Sequence, residues 1–109
     1  MTNEQILRKA GRILKDPKKR TRKAYARNKY RHSVLPTSPS ACKFCLVGAI
    51  KHVDKDNVLP DGIFDILGER LKAALNQELY SGAVCTWDAA TDKQQDIIAN
   101  TLANYREQS

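Results

Sequence analysis

The residues of this chain with the most reactive side chains are its three cysteines, Cys42, Cys45 and Cys85. Cys42 and Cys45 have C-x-x-C spacing, and together with His52 and Cys85 they offer the ligand types of a zinc site. A redox pair needs a thiolate at a helix start, whereas a helix capped by Ser38 would hold both thiols among apolar neighbours. On that helix Cys45 and His52 would lie about 10 Å apart, too far for bonds of about 2.0–2.3 Å to one zinc ion. We therefore predict two buried structural thiols, no metal site and no cofactor.

Nucleophilic catalysis at Cys45 would need a base, and His32, His52 and Asp88 are the candidates for an arrangement of the Cys-His-Asp type. Nothing beside Cys45 in the sequence activates its thiol, and the following Gly48 and Ala49 are typical of close helix packing. We therefore predict a protein that is not an enzyme and has no catalytic residues.

A different chemistry, the attraction of anions, is indicated by the distribution of charge. The 109 residues carry a net charge of +7. Residues 1–35 hold twelve Lys or Arg against two acids, a net of +10, whereas residues 36–109 hold seven against ten, a net of −3. Such an asymmetry indicates an anionic partner, which is a nucleic acid, an anionic membrane or an acidic protein face, or else it serves solubility alone.

The basic residues concentrate in residues 18–31, which contain no acid and interleave two tyrosines. Lys and Arg bind phosphates, while tyrosine rings stack on the bases of single-stranded or looped nucleic acid. The predicted partner-binding residues are Lys18, Lys19, Arg20, Arg22, Lys23, Tyr25, Arg27, Lys29, Tyr30 and Arg31.

Two functions remain open at this stage. The first is a small non-enzymatic protein of phage type that binds a nucleic acid, or a complex that contains one, through this arm. The alternative is a phage-encoded inhibitor that docks on a host protein complex, such as a CRISPR or another defence effector. An acidic protein surface and a phosphate backbone attract lysines alike, so the sequence does not separate the two.

Hydropathy excludes a membrane protein of the helical type. The longest apolar run, residues 44–50, is far shorter than the roughly 20 residues that a membrane span needs. Charges interrupt the first residues where a signal peptide would be apolar, and three cysteines are an odd number for a disulfide framework. We therefore expect a cytoplasmic protein, in the host cytoplasm if a phage encodes it.

Caps and apolar periodicity predict an all-α fold, a compact four-helix single domain over residues 1–109. The first helix occupies residues 1–17, where Thr2 with Gln5 forms a capping box and Pro17 ends the helix. Residues 18–37 lack any apolar period, and we expect a basic irregular arm that contributes little to the core and orders on binding RNA.

Residues 38–109 are predicted to form a three-helix core. Ser38, followed by a proline, is a typical N-cap for an apolar helix that runs to about Val53. A leucine-rich helix follows Asp61 and ends near Gly82. Thr91 with Gln94 opens the last helix, whose inward-facing residues are Ile97, Ile98, Thr101, Leu102 and Tyr105. The short connector before that helix contains Trp87, which we expect to be buried, although a ligand pocket under its ring is an alternative.

The sequence resembles a small uncharacterised domain family found in phage genomes and actinobacterial chromosomes. That family is marked by an Ala-Tyr-Ala-Arg segment, a Ser-Pro turn, a Phe-Cys-x-x-Gly-Ala helix and a tryptophan element before a closing helix. The matching residues are Tyr25, Ala26, Arg27, Ser38, Pro39, Phe44, Cys45, Gly48, Ala49, Trp87 and Asp88. The resemblance spans roughly residues 6 to 105. The resemblance implies a phage or mobile-element origin, and it indicates no mechanism.

Overall fold

The computed structural model of the protein describes residues 2–55, 62–75 and 87–106. The described residues are mostly helical, with one small sheet. The helices are α1 (Asn3–Leu14), α2 (Leu46–Val53), α3 (Ile63–Leu75) and α4 (Asp92–Ala103). A 3-10 turn (Pro17–Lys19) and strands β1 (Ala26–Arg27) and β2 (Lys43–Phe44) lie between α1 and α2. One further helical turn covers residues 87–89.

Both predicted capping boxes are confirmed. The hydroxyl of Thr2 accepts a hydrogen bond from the Gln5 backbone N–H at 3.2 Å, and the Gln5 side chain accepts one from the Thr2 N–H at 3.0 Å. Thr91 and Gln94 make the same pair at 3.1 and 2.9 Å, and so start α4. As predicted, α1 ends before Pro17.

Helix α1 packs against both α4 and α2, so the core gathers around the first helix rather than within residues 38–109. At Gly11 the approach to α4 is so close that a Cβ atom would collide with the backbone of Ala103. The fully buried large side chains are Leu7, Leu14, Leu46, Ile50, Leu67, Leu71, Trp87, Ile98 and Leu102, together with Cys45 and Gln95.

The predicted start of the second helix at Ser38 is wrong. Helix α2 begins at Leu46, because the residues before it pair with the basic segment instead: Ala26 lies opposite Phe44 in an antiparallel register. The Ser38 hydroxyl accepts from the Ser40 N–H at 3.3 Å within a turn. In an apolar run of this length, periodicity does not distinguish a strand from a helix. Strand β2 forms because its residues pair with β1.

The expectation of an all-α fold with an irregular basic arm is corrected for the same reason. Residues 18–31 include the 3-10 turn and β1, and Ala26 is completely buried. The Phe44 carbonyl accepts from the Thr21 N–H at 3.0 Å, and the Tyr25 carbonyl accepts from the Cys45 N–H at 3.2 Å. The segment is therefore part of the folded body and not an addition to a four-helix bundle.

The leucine-rich helix is confirmed for residues 63–75, in which Leu67 and Leu71 are fully buried. Its predicted cap Asp61 and its predicted end near Gly82 lie outside the described residues. In α4, Ile97 was expected to face inward but is 36% exposed, whereas the adjacent Ile98 is buried. No helix within the described ranges is long and apolar enough to cross a membrane.

Candidate nucleic-acid interface

The basic segment (residues 18–33) begins with Lys18 and Lys19 of the 3-10 turn. The rest of it divides into two parts with different surroundings, an anchored part (residues 20–27) and a hairpin tip (residues 28–33). Arg20 shows the character of the anchored part. Its Nε donates to the Leu14 carbonyl at 2.6 Å and its Nη2 to the Asp96 carboxylate at 2.7 Å. Only 8% of the Arg20 side chain is exposed. This guanidinium closes the C-terminal end of α1 and joins it to α4.

Two other arginines of the anchored part are also engaged within the protein. Arg22 donates from Nη2 to the Ala90 carbonyl at 2.8 Å and to the Asp92 carboxylate at 3.2 Å. Arg27 donates from Nε to the Thr21 hydroxyl at 3.0 Å and from Nη1 to a carbonyl of the tip at 2.9 Å. These arginines hold the segment in place.

Trp87 and Asp88 bind the backbone of the anchored part. The indole is buried, as predicted, and its Nε1 donates to the Thr21 carbonyl at 2.8 Å. The Asp88 carboxylate accepts from the N–H of Lys23, whose φ of 65° lies in the left-handed region. A carboxylate that fixes this N–H helps to hold a backbone conformation that a lysine adopts at a cost. The tryptophan element thus ties the basic segment to the start of α4.

The hairpin tip is closed by hydrogen bonds of its own. The Ala26 carbonyl accepts from the Val34 N–H at 3.0 Å, and the His32 carbonyl accepts from the Asn28 N–H at 3.0 Å. The Asn28 side chain then accepts from the N–H groups of Tyr30, at 2.9 Å, and His32, at 3.1 Å. An asparagine that mimics a backbone turn in this way is a standard means of fixing a tight loop.

This loop presents five consecutive exposed residues, Lys29, Tyr30, Arg31, His32 and Ser33. The Tyr30 side chain is 67% exposed. The Lys29 ammonium lies 5.1 Å from the centroid of the Tyr30 ring, and the His32 ring lies 6.3 Å from it. Within the described residues, neither Lys29 nor Arg31 has an ion-pair partner. Two unneutralised cations therefore flank an aromatic ring on a fixed loop.

A family model matches residues 1–104, which include both parts of the basic segment and the tryptophan element. The chain belongs to the family of unknown function DUF6197. This confirms the resemblance to an uncharacterised small domain family. No curated protein and no solved structure matches the chain. Because the function of DUF6197 is unknown, membership in the family assigns no activity to the chain.

The cysteines of this DUF6197 chain occupy unlike positions. Cys45 is buried, as predicted, but it caps α2 instead of lying inside a helix: its Sγ accepts from the Gly48 N–H at 3.3 Å. Burial raises the pKa of the Cys45 thiol, and the N–H bonds from Gly48 and Val47 offset only part of this effect. Cys42 is exposed, so its predicted burial is wrong, because it precedes the sheet rather than lying in a helix. Cys85 lies outside the described residues.

The ten predicted binding residues, all within residues 18–31, have different surroundings in the structure. Arg20, Arg22 and Arg27 bond inward. The exposed remainder comprises Lys18, Lys19, Lys23, Tyr25, Lys29, Tyr30 and Arg31.

The predicted binding set left out Asn28, His32 and Lys51, and the sequence indicated His32 only as a candidate base for Cys45. Asn28 had a readable signal, since asparagine between a strand and a polar run favours a turn. Lys51 had none, because only the fold brings its ammonium to 4.4 Å from the centroid of the Tyr25 ring.

Proposed function

We propose that this protein binds nucleic acid through the hairpin tip, with phosphates held by Lys29 and Arg31. The observation that carries the proposal is the fixed loop on which two cations without carboxylate partners flank the exposed Tyr30 ring. Phosphate oxygens accept from lysine and arginine donors, and the exposed phenol ring offers a face for a base.

The order of the tip favours binding. Fixing one residue's backbone costs about 1–2 kcal/mol, and a loop that is already closed by Asn28 does not pay this cost again when it binds. The sequence had suggested an arm that orders only on its ligand. The hydrogen bonds within the tip support a prearranged surface instead.

The exposed lysines of the same segment extend the positive surface. Lys18, Lys19 and Lys23 are exposed, and their long-range field raises the local concentration of a polyanion at low salt. Arg20 and Arg22 contribute less, because carboxylates of α4 neutralise their charge at 2.7 and 3.2 Å. The proposed contact set is therefore narrower than the set of all cations in residues 18–31.

The test is the salt dependence of binding to labelled DNA and RNA, with fluorescence anisotropy as the readout. Four to six phosphate contacts would give a slope of log affinity against log salt of about −3 to −5. The double variant Lys29→Ala/Arg31→Ala removes two contacts, so the slope should become shallower by about 1.4 on single strands and about 1.8 on duplex. All sequences should weaken alike, since phosphate contacts carry no sequence information.

The matched control is Lys9→Ala/Lys93→Ala, which removes the same charge from exposed positions outside the basic segment. This control should change the affinity little. Equal slopes for the tip variant and the wild type would contradict the proposal. So would a wild-type protein that binds no nucleic acid but retains a protein partner from nuclease-treated lysate, the behaviour of a docking inhibitor.

A further inference from the structure

A groove with a volume of about 540 Å³ begins where the hairpin tip ends. Its lining consists of Tyr25, Ser33, Val34, Leu35, Pro36 and Ser38. The volume lies within the roughly 300–1,000 Å³ of small-molecule sites, which leaves room for a nucleobase with its sugar. Ser33 belongs both to the tip and to the groove, so a ligand held at one extends directly into the other.

The groove is apolar, although it lies in the most basic part of the chain. Leu35 is 73% exposed and the Tyr25 side chain is 46% exposed. An aliphatic side chain held this far out of the core contributes little to folding, and its burial against a ligand is favourable. The surface thus combines an apolar floor with an aromatic ring.

One cation contacts the aromatic ring of the groove, and another lies close to the groove along the chain. The Lys51 ammonium lies 4.4 Å from the centroid of the Tyr25 ring, and Arg31 of the tip is two residues from Ser33. Lys51 thereby polarises the same ring that lines the groove. An apolar, aromatic surface with cations at its border complements a planar ligand that carries negative charge, and a nucleotide within a strand has this combination.

We infer that the groove holds one unstacked base of a single strand whose phosphates bind the hairpin tip. This inference rests on the proposed function and names its substrate class. In a duplex the bases are paired and stacked, so none can enter a groove beside Tyr25 without first leaving its partner. Single-stranded or looped nucleic acid offers such a base at no cost in pairing. An apolar peptide would fill the groove without using its flanking charges.

The test compares two single strands of equal length, about 16 nucleotides, which is the upper end of typical site sizes. One strand carries its bases, and the other carries abasic sites throughout and keeps every phosphate. Wild-type protein should bind the strand with bases at least about 5-fold more tightly, the lower end of the range for stacking one base, since Tyr30 can stack a second base. Tyr25→Ala and Leu35→Ser should lose affinity for the strand with bases and leave affinity for the abasic strand unchanged.

The substituted side chains are exposed, so both variants should fold, and Leu35→Ser repeats the test at a position with no role in the core. Ile97→Ala, a partly exposed apolar residue on α4, is the matched control and should bind both strands as the wild type does. Equal wild-type affinity for the two strands, with the salt slope intact, overturns the groove inference and base stacking on Tyr30, and it leaves the proposed phosphate binding by the hairpin tip standing. A wild-type protein that binds neither strand overturns both the groove inference and the proposed function.

Discussion

The two parts of the basic segment are alike in composition and unlike in surroundings. The anchored part gives its guanidinium groups to carbonyls and carboxylates of the protein, and Arg20 keeps only 8% of its side chain exposed. The backbone of the hairpin tip is held by the side chains of Asn28 and Arg27, whereas the side chains of Lys29 and Arg31 stay in solvent. One run of positive charge therefore serves two purposes, attachment of the segment and presentation of a surface.

This difference shows that the role of a cation depends on the acceptors around it rather than on the number of cations nearby in the sequence. Arginine has a planar fork that satisfies several acceptors at once, and in this segment the three arginines of the anchored part do so. The lysines of the same segment are exposed. Structural cations and exposed cations thus lie side by side, and measurements of stability and of binding on the same variants separate their roles.

The largest effect is expected at Trp87, whose indole donates a hydrogen bond to the backbone of the anchored part. Trp87→Ala removes a fully buried indole and its bond to the Thr21 carbonyl, so the free energy of unfolding should fall by about 3–5 kcal/mol. Chemical denaturation followed by circular dichroism measures this change. Trp87→Phe, which keeps an aromatic ring, should cost less. A stable Trp87→Ala protein that has lost only nucleic-acid binding would place the tryptophan in the binding site instead.

The elements that depend on short-range signals were predictable from the sequence. Thr2 with Gln5 and Thr91 with Gln94 needed only neighbours along the chain, and both capping boxes formed as predicted. The burial of Trp87 also followed from its residue type. These features are local or follow from hydrophobicity alone, so a single sequence is sufficient to find them.

The sheet and the division of the basic segment were not predictable. Phe44 belongs to β2 only because Ala26 lies opposite it, and nothing in either stretch announces the other. Likewise, Arg20 differs from Arg31 because Asp96, seventy-six residues away along the chain, lies within 2.7 Å of Arg20. Contacts of this range are fixed by the packing of α1 against α4, which no periodicity encodes.

The second-largest effect compares two arginines of the same segment. Arg20→Ala should lower the free energy of unfolding by about 1.5–3 kcal/mol, because a charged donor leaves the Leu14 carbonyl without its partner. Asp96 adds little to this cost, since 57% of its side chain is exposed and water replaces the guanidinium.

Arg31→Ala should change stability by less than about 0.5 kcal/mol, as surface substitutions do, and should weaken nucleic-acid binding. Thermal denaturation and anisotropy titrations on both variants give the comparison. Equal stability losses at Arg20 and Arg31, or a binding loss at Arg20 with no loss of stability, would erase the distinction between the two parts.

A smaller effect is expected from loosening the tip without touching its charges. Asn28→Ala deletes the acceptor for the Tyr30 and His32 N–H groups, so those amides should exchange faster with solvent. Binding should weaken by about 1–2 kcal/mol, the cost of ordering roughly one residue again. Asn28→Asp keeps an acceptor oxygen and should retain slow exchange. An Asn28→Ala protein with full affinity would show that the order of the tip does not matter.

The smallest expected effect lies at Cys45, where the anchored part meets α2: its N–H donates to the Tyr25 carbonyl, and its Sγ caps the helix. Burial raises the pKa of this thiol in the folded protein, so the folded state keeps a proton that the unfolded chain releases above about pH 8.5. The stabilisation is complete below that pH and is lost as the pH rises toward the folded pKa. Above about pH 8.5 the free energy of unfolding should therefore fall more steeply with pH in the wild type than in Cys45→Ala, which lacks the titrating group. Urea denaturation of both proteins from pH 7 to pH 10 measures the difference. Parallel pH profiles, or rapid alkylation of Cys45 in the native protein, would mean that the junction opens and that the anchored part is as accessible as the tip.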